Sequence, residues 1–175
     1  MNHIKYLIPI IGLVMCVESS AKAEDFKEPI IIESDSAERN EKTGLTQYKG
    51  NVVIQQGSMV IDASEVTVFY ESENVSHIRC EGDPASFQQS DQSGDRVLAR
   101  AETIEYEPGT ELVNLKTNAS LSHNGTQIKG DSINYDLRNE SWKAKGDNQS
   151  TQKRIQLVIP PPPINDPEPE SQQLQ

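Results

Sequence analysis

The sequence predicts an all-β fold, built as a sandwich, a barrel or a roll, and three patterns support this prediction. Apolar and polar residues alternate with a period of two along the candidate strands, as in the run from Val113 to Leu121. Turn-forming pairs such as Pro108-Gly109 and Asn124-Gly125 separate these runs at short intervals. A short cassette of similar composition also recurs along the chain. Because no segment shows a sustained helical period, we expect many short strands.

The recurring cassette has an apolar or small residue, a small residue two positions later, and then a polar pair. Its small residues are Ser34, Ala63, Ala101 and Gly130, at steps of 29, 38 and 29 residues. A step in this range is typical of stacked architectures, whose units bury an apolar face only against a neighbour. We interpret the small residues as places where the interior leaves room.

Residues 1–23 have the composition of a signal peptide. Lys5 precedes an apolar run from Leu7 to Val17, and Ala21-Lys22-Ala23 is an A-x-A cleavage site. The run is shorter than the roughly 20 residues that a membrane-spanning helix needs, which makes an uncleaved anchor the weaker alternative. We therefore predict export of the protein and cleavage after Ala23.

The rest of the chain is predicted to form one domain, residues 24–159, and a tail, residues 160–175. Arg154 to Ile159 has the pattern of a last strand. Pro160 to Pro163 ends that strand, because proline cannot donate a hydrogen bond to the ladder. The remaining residues are rich in Pro, Glu and Gln, which is typical of disordered segments.

The chain is acidic, with a formal net charge of −11 at pH 7. Cleavage after Ala23 removes Lys5, Lys22 and Glu18 and leaves a net charge of −12. This charge disfavours nucleic acid as a partner and disfavours electrostatic docking on anionic lipid head groups. Cys80 is then the only cysteine, so no internal disulfide can form, and we expect a small, buried strand residue.

The sequence offers little for catalysis or metal binding. The histidines after residue 23 are His77 and His123, which we interpret as surface residues, and no nucleophile motif accompanies them. No His and Cys cluster has the spacing of metal ligands. We therefore predict no enzymatic activity, no metal and no cofactor. Most carboxylates fall on the polar phase of strands, as do Glu33, Asp35, Glu65, Glu102 and Asp131.

A series of motifs follows in order through residues 28–160. The motifs are Pro29-Ile-Ile-Ile-Glu-Ser-Asp35, Tyr48-Lys-Gly-Asn-Val-Val-Ile-Gln-Gln-Gly57, Ile61-Asp-Ala63, Gly82-Asp-Pro-Ala-Ser-Phe87, Thr117-Asn-Ala-Ser-Leu121 and Ile128-Lys-Gly-Asp-Ser-Ile-Asn-Tyr135. Together they resemble the LptA family of periplasmic lipopolysaccharide transport proteins, which have the OstA-like fold. The fourth and sixth motifs are the most specific of the series.

The resemblance implies a twisted antiparallel β-roll, or β-jellyroll, that is open at both ends and holds the acyl chains of lipid A on its inner face. It implies a periplasmic bridge component that carries lipopolysaccharide from the inner to the outer membrane. The implied partners are lipopolysaccharide, an LptC-type inner-membrane protein, an LptD-type outer-membrane translocon and further copies of the chain, assembled head to tail through edge strands.

Specific residues follow from the resemblance and from the strand phase. The resemblance places Ile30, Ile32, Phe87 and Tyr106 on the lipid path. The phase of the strands adds Ile54, Ile61, Val66, Ile104, Leu121, Ile133 and Tyr135. The expected partner-binding edges are Ile30, Ile31 and Ile32 at one end and Ile155, Leu157 and Ile159 at the other. For each lipid-path residue, plain core packing is the alternative.

Two other function classes stay open at this point. An exported structural or adhesive repeat protein would have the same strand pattern around a closed, dry core. A secreted carbohydrate-active enzyme would need two carboxylates that face a common cleft.

Overall fold

The structure is a computed structural model that describes residues 25–91, 93–147 and 154–161. The predicted signal peptide, its cleavage site and the tail beyond residue 161 lie outside the described residues. In the described part of the chain, no helix is long and apolar enough to cross a membrane. A short 3-10 turn, Asp25–Lys27, precedes the first strand.

The described residues form one open, antiparallel sheet of ten strands, which confirms the all-β prediction. The strands are β1 (Ile31–Glu33), β2 (Ser36–Asn40), β3 (Leu45–Gln56), β4 (Met59–Glu71), β5 (Asn74–Ser90), β6 (Arg96–Glu107), β7 (Leu112–His123), β8 (Thr126–Asp136), β9 (Ser141–Lys145) and β10 (Gln156–Val158). Hydrogen-bonded neighbours follow the order β1-β3-β4-β5-β6-β7-β8-β10, while β2 pairs with β3 and β9 pairs with β8. The sheet therefore has two free edges, one formed by β1 and β2 and the other by β9 and β10.

Each of the long strands β3 to β8 bends near its middle, where the pairing register with its neighbours shifts. In β3 the bend lies at Gly50 and Asn51, with φ angles of 78° and 46°. In β7 it lies at Thr117 and Asn118, with φ angles of 63° and 55°, and in β5 it lies at the cis bond Asp83-Pro84. Such bulges turn a strand, because left-handed backbone does not continue the extended pleat.

The bends divide the sheet into two leaves that face each other. Leaf 1 consists of β2, β9 and residues 45–49, 65–71, 74–81, 103–107, 112–116 and 132–136 of the long strands. Leaf 2 consists of β1, β10 and residues 52–56, 59–62, 85–90, 96–100, 119–123 and 126–129. Buried apolar residues of both leaves form a single core cluster. The result is a folded sheet with a jellyroll-like cross-section.

The small residues of the cassette lie at these bends, and they differ in whether they leave room. Ala63, at the bend of β4, lines a second cavity of about 350 Å³, whereas Ala101, at the bend of β6, is fully buried. A Cβ atom on Gly130, at the bend of β8, would lie 2.8 Å from the carbonyl oxygen of Lys145. Because backbone approaches backbone closely at the bend of β8, that position requires glycine, and our interpretation of Gly130 as a place that leaves room was wrong.

Candidate functional site

A cavity of about 670 Å³ lies between the two leaves at their tips. Leaf 2 and the segment before β1 line it with Asp25, Phe26, Gln56, Met59, Gln89, Ser90, Asp91 and Val97, and leaf 1 and its hairpins line it with Tyr106, Glu111, Tyr135, Leu137 and Arg138. Its lining therefore combines apolar side chains with polar and charged ones. A cavity of this volume lies within the range of small-molecule sites.

A hydrogen-bonded clasp connects the two leaves beside this cavity. The hydroxyl of Tyr106 on leaf 1 donates to Oε1 of Gln56 on leaf 2 at 2.9 Å. The amide nitrogen of Gln56 donates to the carbonyl oxygens of Phe26 and Glu28, at 3.2 and 3.0 Å. One buried side chain thus holds both leaves and the N-terminal segment in place.

Two carboxylates that line the cavity have partners. Asp91 contacts Nε2 of His123 at 2.6 Å, and this hydrogen bond lowers the pKa of the Asp91 carboxyl. Glu111 accepts hydrogen bonds from the Arg138 guanidinium. His123 is thus partly buried and paired, so our interpretation of it as a plain surface residue was wrong. His77 stacks on the ring of Phe69, 4.0 Å between centroids.

The two tyrosines in the cavity lie in a setting that disfavours their ionised form. Burial, reinforced by the nearby carboxylates of Glu111 and Asp25, raises the pKa of Tyr106 to about 12. Burial likewise raises the pKa of Tyr135 to about 12, with Glu140 and Asp91 as further causes. The cavity therefore presents neutral tyrosine rings to a ligand, next to carboxylates that are paired with Arg138 and His123.

The structure distributes the eleven predicted lipid-path residues over three settings. Tyr106 and Tyr135 line the cavity. Ile30 and Ile32 lie at the first free edge, partly buried against the core cluster. The others are almost fully buried between the leaves, with exposed fractions of at most 2%, namely Ile54, Ile61, Val66, Phe87, Ile104, Leu121 and Ile133.

Sequence reasoning missed part of the cavity lining. Met59 and Val97 have the same strand phase as Ile61 and Ala99, so alternation alone could have included them. Gln56 could not be found this way, because a glutamine beside a turn has the pattern of a solvated residue.

Most of the exposed large apolar side chains in the described residues lie at the free edges of the sheet. Ile31 in β1 is 52% exposed, and Ile155, Leu157 and Ile159 around β10 are 47%, 46% and 70% exposed. Leu157 pairs with Ile128, and Trp142 in β9 pairs with Tyr135. Residues paired directly across strands share a face, so Leu157 and Trp142 continue the inner apolar face to the second edge.

The geometry gives little support to catalysis. Three carboxylates, Asp25, Asp91 and Glu111, line the cavity. A glycosidase needs an acid of raised pKa, and Asp91, whose pKa is lowered, does not suit that role. Cys80 is buried in β5, as predicted, and burial raises the pKa of its thiol to about 12, so it is unreactive. Among residues 25–91, 93–147 and 154–161, no group of three or more His, Cys, Asp or Glu side chains could hold a metal ion.

Comparison with known proteins gives one consistent result. The model of the family "LptA/(LptD N-terminal domain) LPS transport protein" matches residues 31–141. The lipopolysaccharide export system protein LptA of Haemophilus influenzae is 30% identical over 166 residues, which cover 92% of this chain and 95% of that protein. LptA of Escherichia coli K12 is 30% identical over 156 residues, 88% of this chain and 83% of that protein.

A solved structure matches the fold as well. It is the crystal structure of LptH, described as the LptA-homologous periplasmic component of the lipopolysaccharide transport device of Pseudomonas aeruginosa. It superposes with a TM-score of 0.72 at 30% identity and covers 78% of this chain and 99% of that one.

Proposed function

Because the chain belongs to the LptA/LptD N-terminal domain family, we propose that it is a periplasmic carrier of lipopolysaccharide that shields the acyl chains of lipid A between its two leaves. The observation that carries this proposal is the apolar inner face, which runs from Ile32 at one free edge to Leu157 and Trp142 at the other. At the second edge Leu157 and Trp142 leave this face 46% and 42% exposed, which a closed, dry core would not require.

The energetics of acyl chains explain why such a carrier is needed. Each methylene group buried from water contributes about 0.8 kcal/mol, so exposing one long acyl chain costs roughly 10 kcal/mol. Several chains per lipid make free diffusion through an aqueous compartment negligible. An apolar interior removes this barrier without consuming energy, so the driving force for directed transport must come from elsewhere.

The acidity of the chain limits how the lipid is held. Lipopolysaccharide head groups are anionic, and the chain has a net charge of −11. Recognition must therefore depend on burial of the acyl chains and not on phosphate contacts. We propose the eleven inward residues named above, from Ile30 to Tyr135, as the surface that the acyl chains contact when the leaves separate.

Head-to-tail assembly is the second part of the proposal. The edge of β1, with Ile30, Ile31 and Ile32, would pair with the edge of β10, with Ile155, Leu157 and Ile159, on the next copy. Unpaired strand edges with exposed apolar side chains are templates for such pairing. An LptC-type inner-membrane protein and an LptD-type outer-membrane translocon would bind at the two ends of the assembly. We do not expect nucleic acid as a partner.

A photo-cross-linking experiment tests lipid binding. A photoreactive phenylalanine analogue placed at Ile32 or Phe87 faces the interior, whereas one at Leu98 lies on the outer face of β6 and is 44% exposed. We expect lipopolysaccharide adducts in cells from the two inward positions and none from Leu98. Adducts at Leu98 alone, or none at any inward position, would refute the proposal.

A structural or adhesive role with a closed core is the second candidate, and one observation favours it. Ile54, Ile61 and Ile133, in the middle of the roll, are completely buried, so the leaves are in contact there. Failure of the purified protein to bind lipopolysaccharide, together with an unchanged ability to self-assemble, would support this second candidate.

A further inference from the structure

We propose that the cavity between the leaf tips is a side entrance for an acyl chain, and that the N-terminal segment Asp25 to Pro29 is the latch that closes it. The ligand class, an acyl chain, rests on the proposed function. The location and the latch rest on contacts within this chain. Phe26 and Asp25 of the latch line the cavity together with residues of both leaves.

The latch is attached to leaf 2 through the carboxylate of Asp25. Oδ1 accepts a hydrogen bond from the backbone nitrogen of Ser58 at 3.0 Å, and Oδ2 accepts from the Ser58 hydroxyl and from Nε2 of Gln89, the latter at 2.8 Å. A Cβ atom on Gly57 would lie 2.3 Å from Oδ1, so this close approach requires glycine. Asp25 therefore holds the latch against the β3-β4 turn and against β5.

The Gln56 clasp is the second attachment, and it couples the latch to the contact between the leaves. Gln56 holds Phe26 and Glu28 of the latch through its amide nitrogen and Tyr106 of leaf 1 through its oxygen. Release of the latch leaves this buried amide with unsatisfied donors. An unsatisfied buried amide favours the entry of water, so release of the latch also weakens the bond between the leaves.

The cavity is the place where the leaves separate most easily. Elsewhere the inner faces are in apolar contact, and separating them exposes that surface to water at a cost proportional to its area. At the cavity the volume already exists, and the contacts that close it are hydrogen bonds, which water can replace. A chain that enters here meets Met59, Val97 and Leu137 directly.

The polar part of the lining limits which part of a lipid can enter. Asp91 and Glu111 line the cavity together with Tyr106 and Tyr135, and the two carboxylates are already paired with His123 and with Arg138. A phosphorylated head group would have to lose its water next to these ion pairs, so the acyl chain enters and the head group stays outside.

Uptake of a neutral apolar fluorophore by the mature chain, residues 24–175, tests the latch. N-phenyl-1-naphthylamine, mixed with the protein in a stopped-flow instrument, reports the rate at which an apolar ligand reaches the interior. We expect Asp25→Ala to increase this rate roughly tenfold, because three hydrogen bonds of the latch are lost. Asp136→Ala is the matched control, since Asp136 holds the β8-β9 hairpin through Asn139 and does not line the cavity.

A disulfide that can be formed and reduced in the same sample separates the effect of the latch from a folding defect. In the double variant Asp25→Cys/Ser58→Cys, oxidation would fix the latch to the β3-β4 turn, while Cys80 stays buried and unreactive. We expect the oxidised form to take up the fluorophore at least tenfold more slowly than the same sample after reduction, with wild type unaffected by either treatment. Equal rates for the oxidised and reduced forms would overturn the latch.

The two proposals fail in different ways. Lipopolysaccharide adducts at Ile32 that persist in the oxidised double variant would overturn the side entrance and leave the carrier function intact. Absence of adducts in every form would instead refute the carrier function.

Discussion

The middle and the ends of the roll have the same alternating strand pattern, but their inward side chains differ in how much of their surface is exposed. In the middle, Ile61 and Ile104 have no exposed surface, because each lies between two paired strands and faces the other leaf. At the second edge, Leu157 and Trp142 point to the same inner face but are 46% and 42% exposed. The difference does not come from residue type. It comes from the missing neighbour, so the end of the roll is an unfinished core that a further strand could complete.

The largest expected effect contrasts a residue of the middle with one of the ends. Ile104→Ala removes side-chain atoms from the packed interior and should lower the free energy of unfolding by about 2–5 kcal/mol. Leu157→Ala should change it by less than about 0.5 kcal/mol, because a half-exposed side chain at an edge loses few contacts. Urea unfolding of lipid-free protein at low concentration measures both values.

The outcome also distinguishes a packed core from a groove that is already open in the lipid-free protein. If Ile104→Ala lowered the free energy of unfolding no more than Leu157→Ala does, the two leaves would already be separated around Ile104 in solution. The difference in burial between the middle and the ends would then hold only for the closed conformation.

A second, smaller effect concerns the stability cost of replacing a glycine at a bend, compared with a glycine at the tip of a leaf. Gly50 lies at the bend of β3 with a φ angle of 78°, and a Cβ atom there would lie 2.3 Å from Oδ2 of Asp35. Asp35 is itself fixed by Asn51 and by the carbonyl of Gly50, so it cannot move freely. Gly50→Ala should therefore cost about 1–3 kcal/mol.

Gly109, in the β6-β7 hairpin, is the matched control for this substitution. No atom lies within 4 Å of a Cβ built on it, so Gly109→Ala should stay within about 0.5 kcal/mol of wild type. Thermal unfolding of the two variants gives the comparison. Equal midpoints would mean that the bend tolerates side chains, and that glycine does not define the leaves.

These contrasts show what the sequence could and could not predict. The alternation predicted the inner face correctly, because period-two burial is local: Ile54, Ile61 and Ile133 are all buried as expected. The Asn124-Gly125 turn was predicted for the same reason, and both residues have positive φ. The clasp of Gln56 and Tyr106 could not be predicted, since 50 residues separate its partners and only the folded sheet brings them together.

The bends were predicted only in part. The small residues of the cassette marked the positions of the bends correctly, but the reason that we gave for them was wrong at Gly130. A sequence shows that a small residue recurs, while only the neighbouring backbone, here the Lys145 carbonyl next to Gly130, shows whether space is present or absent.

The third expected effect concerns assembly at the ends. Leu157→Asp places a charge on the exposed inner face of β10 and should weaken self-association at least tenfold, or about 1.4 kcal/mol. Leu98→Asp is the matched control, because Leu98 is exposed to nearly the same extent on the outer face of β6. Light scattering over a range of concentrations measures the mass of both variants. An equal loss of mass in both would show that the edge has no special role.

The smallest expected effect belongs to the cavity mouth, which lies between the middle and the ends in burial. The hydrogen bond from His123 lowers the pKa of Asp91 in the folded protein, so the folded state binds this proton less well than the unfolded chain does. The stabilisation is therefore present above the unfolded pKa of about 3.9 and is lost as the pH falls through the lower, folded value.

Asp91→Asn should accordingly be less stable than wild type at pH 7, and the difference should shrink below about pH 4. Urea midpoints between pH 3 and 7 measure it, with Glu71→Gln at the exposed end of β4 as the carboxylate control. A deficit that is constant over this range would mean that Asp91 acts at the mouth through its shape and hydrogen bonds alone. A deficit that disappears with acid would show that the charge of Asp91 holds the β5-β6 turn to His123.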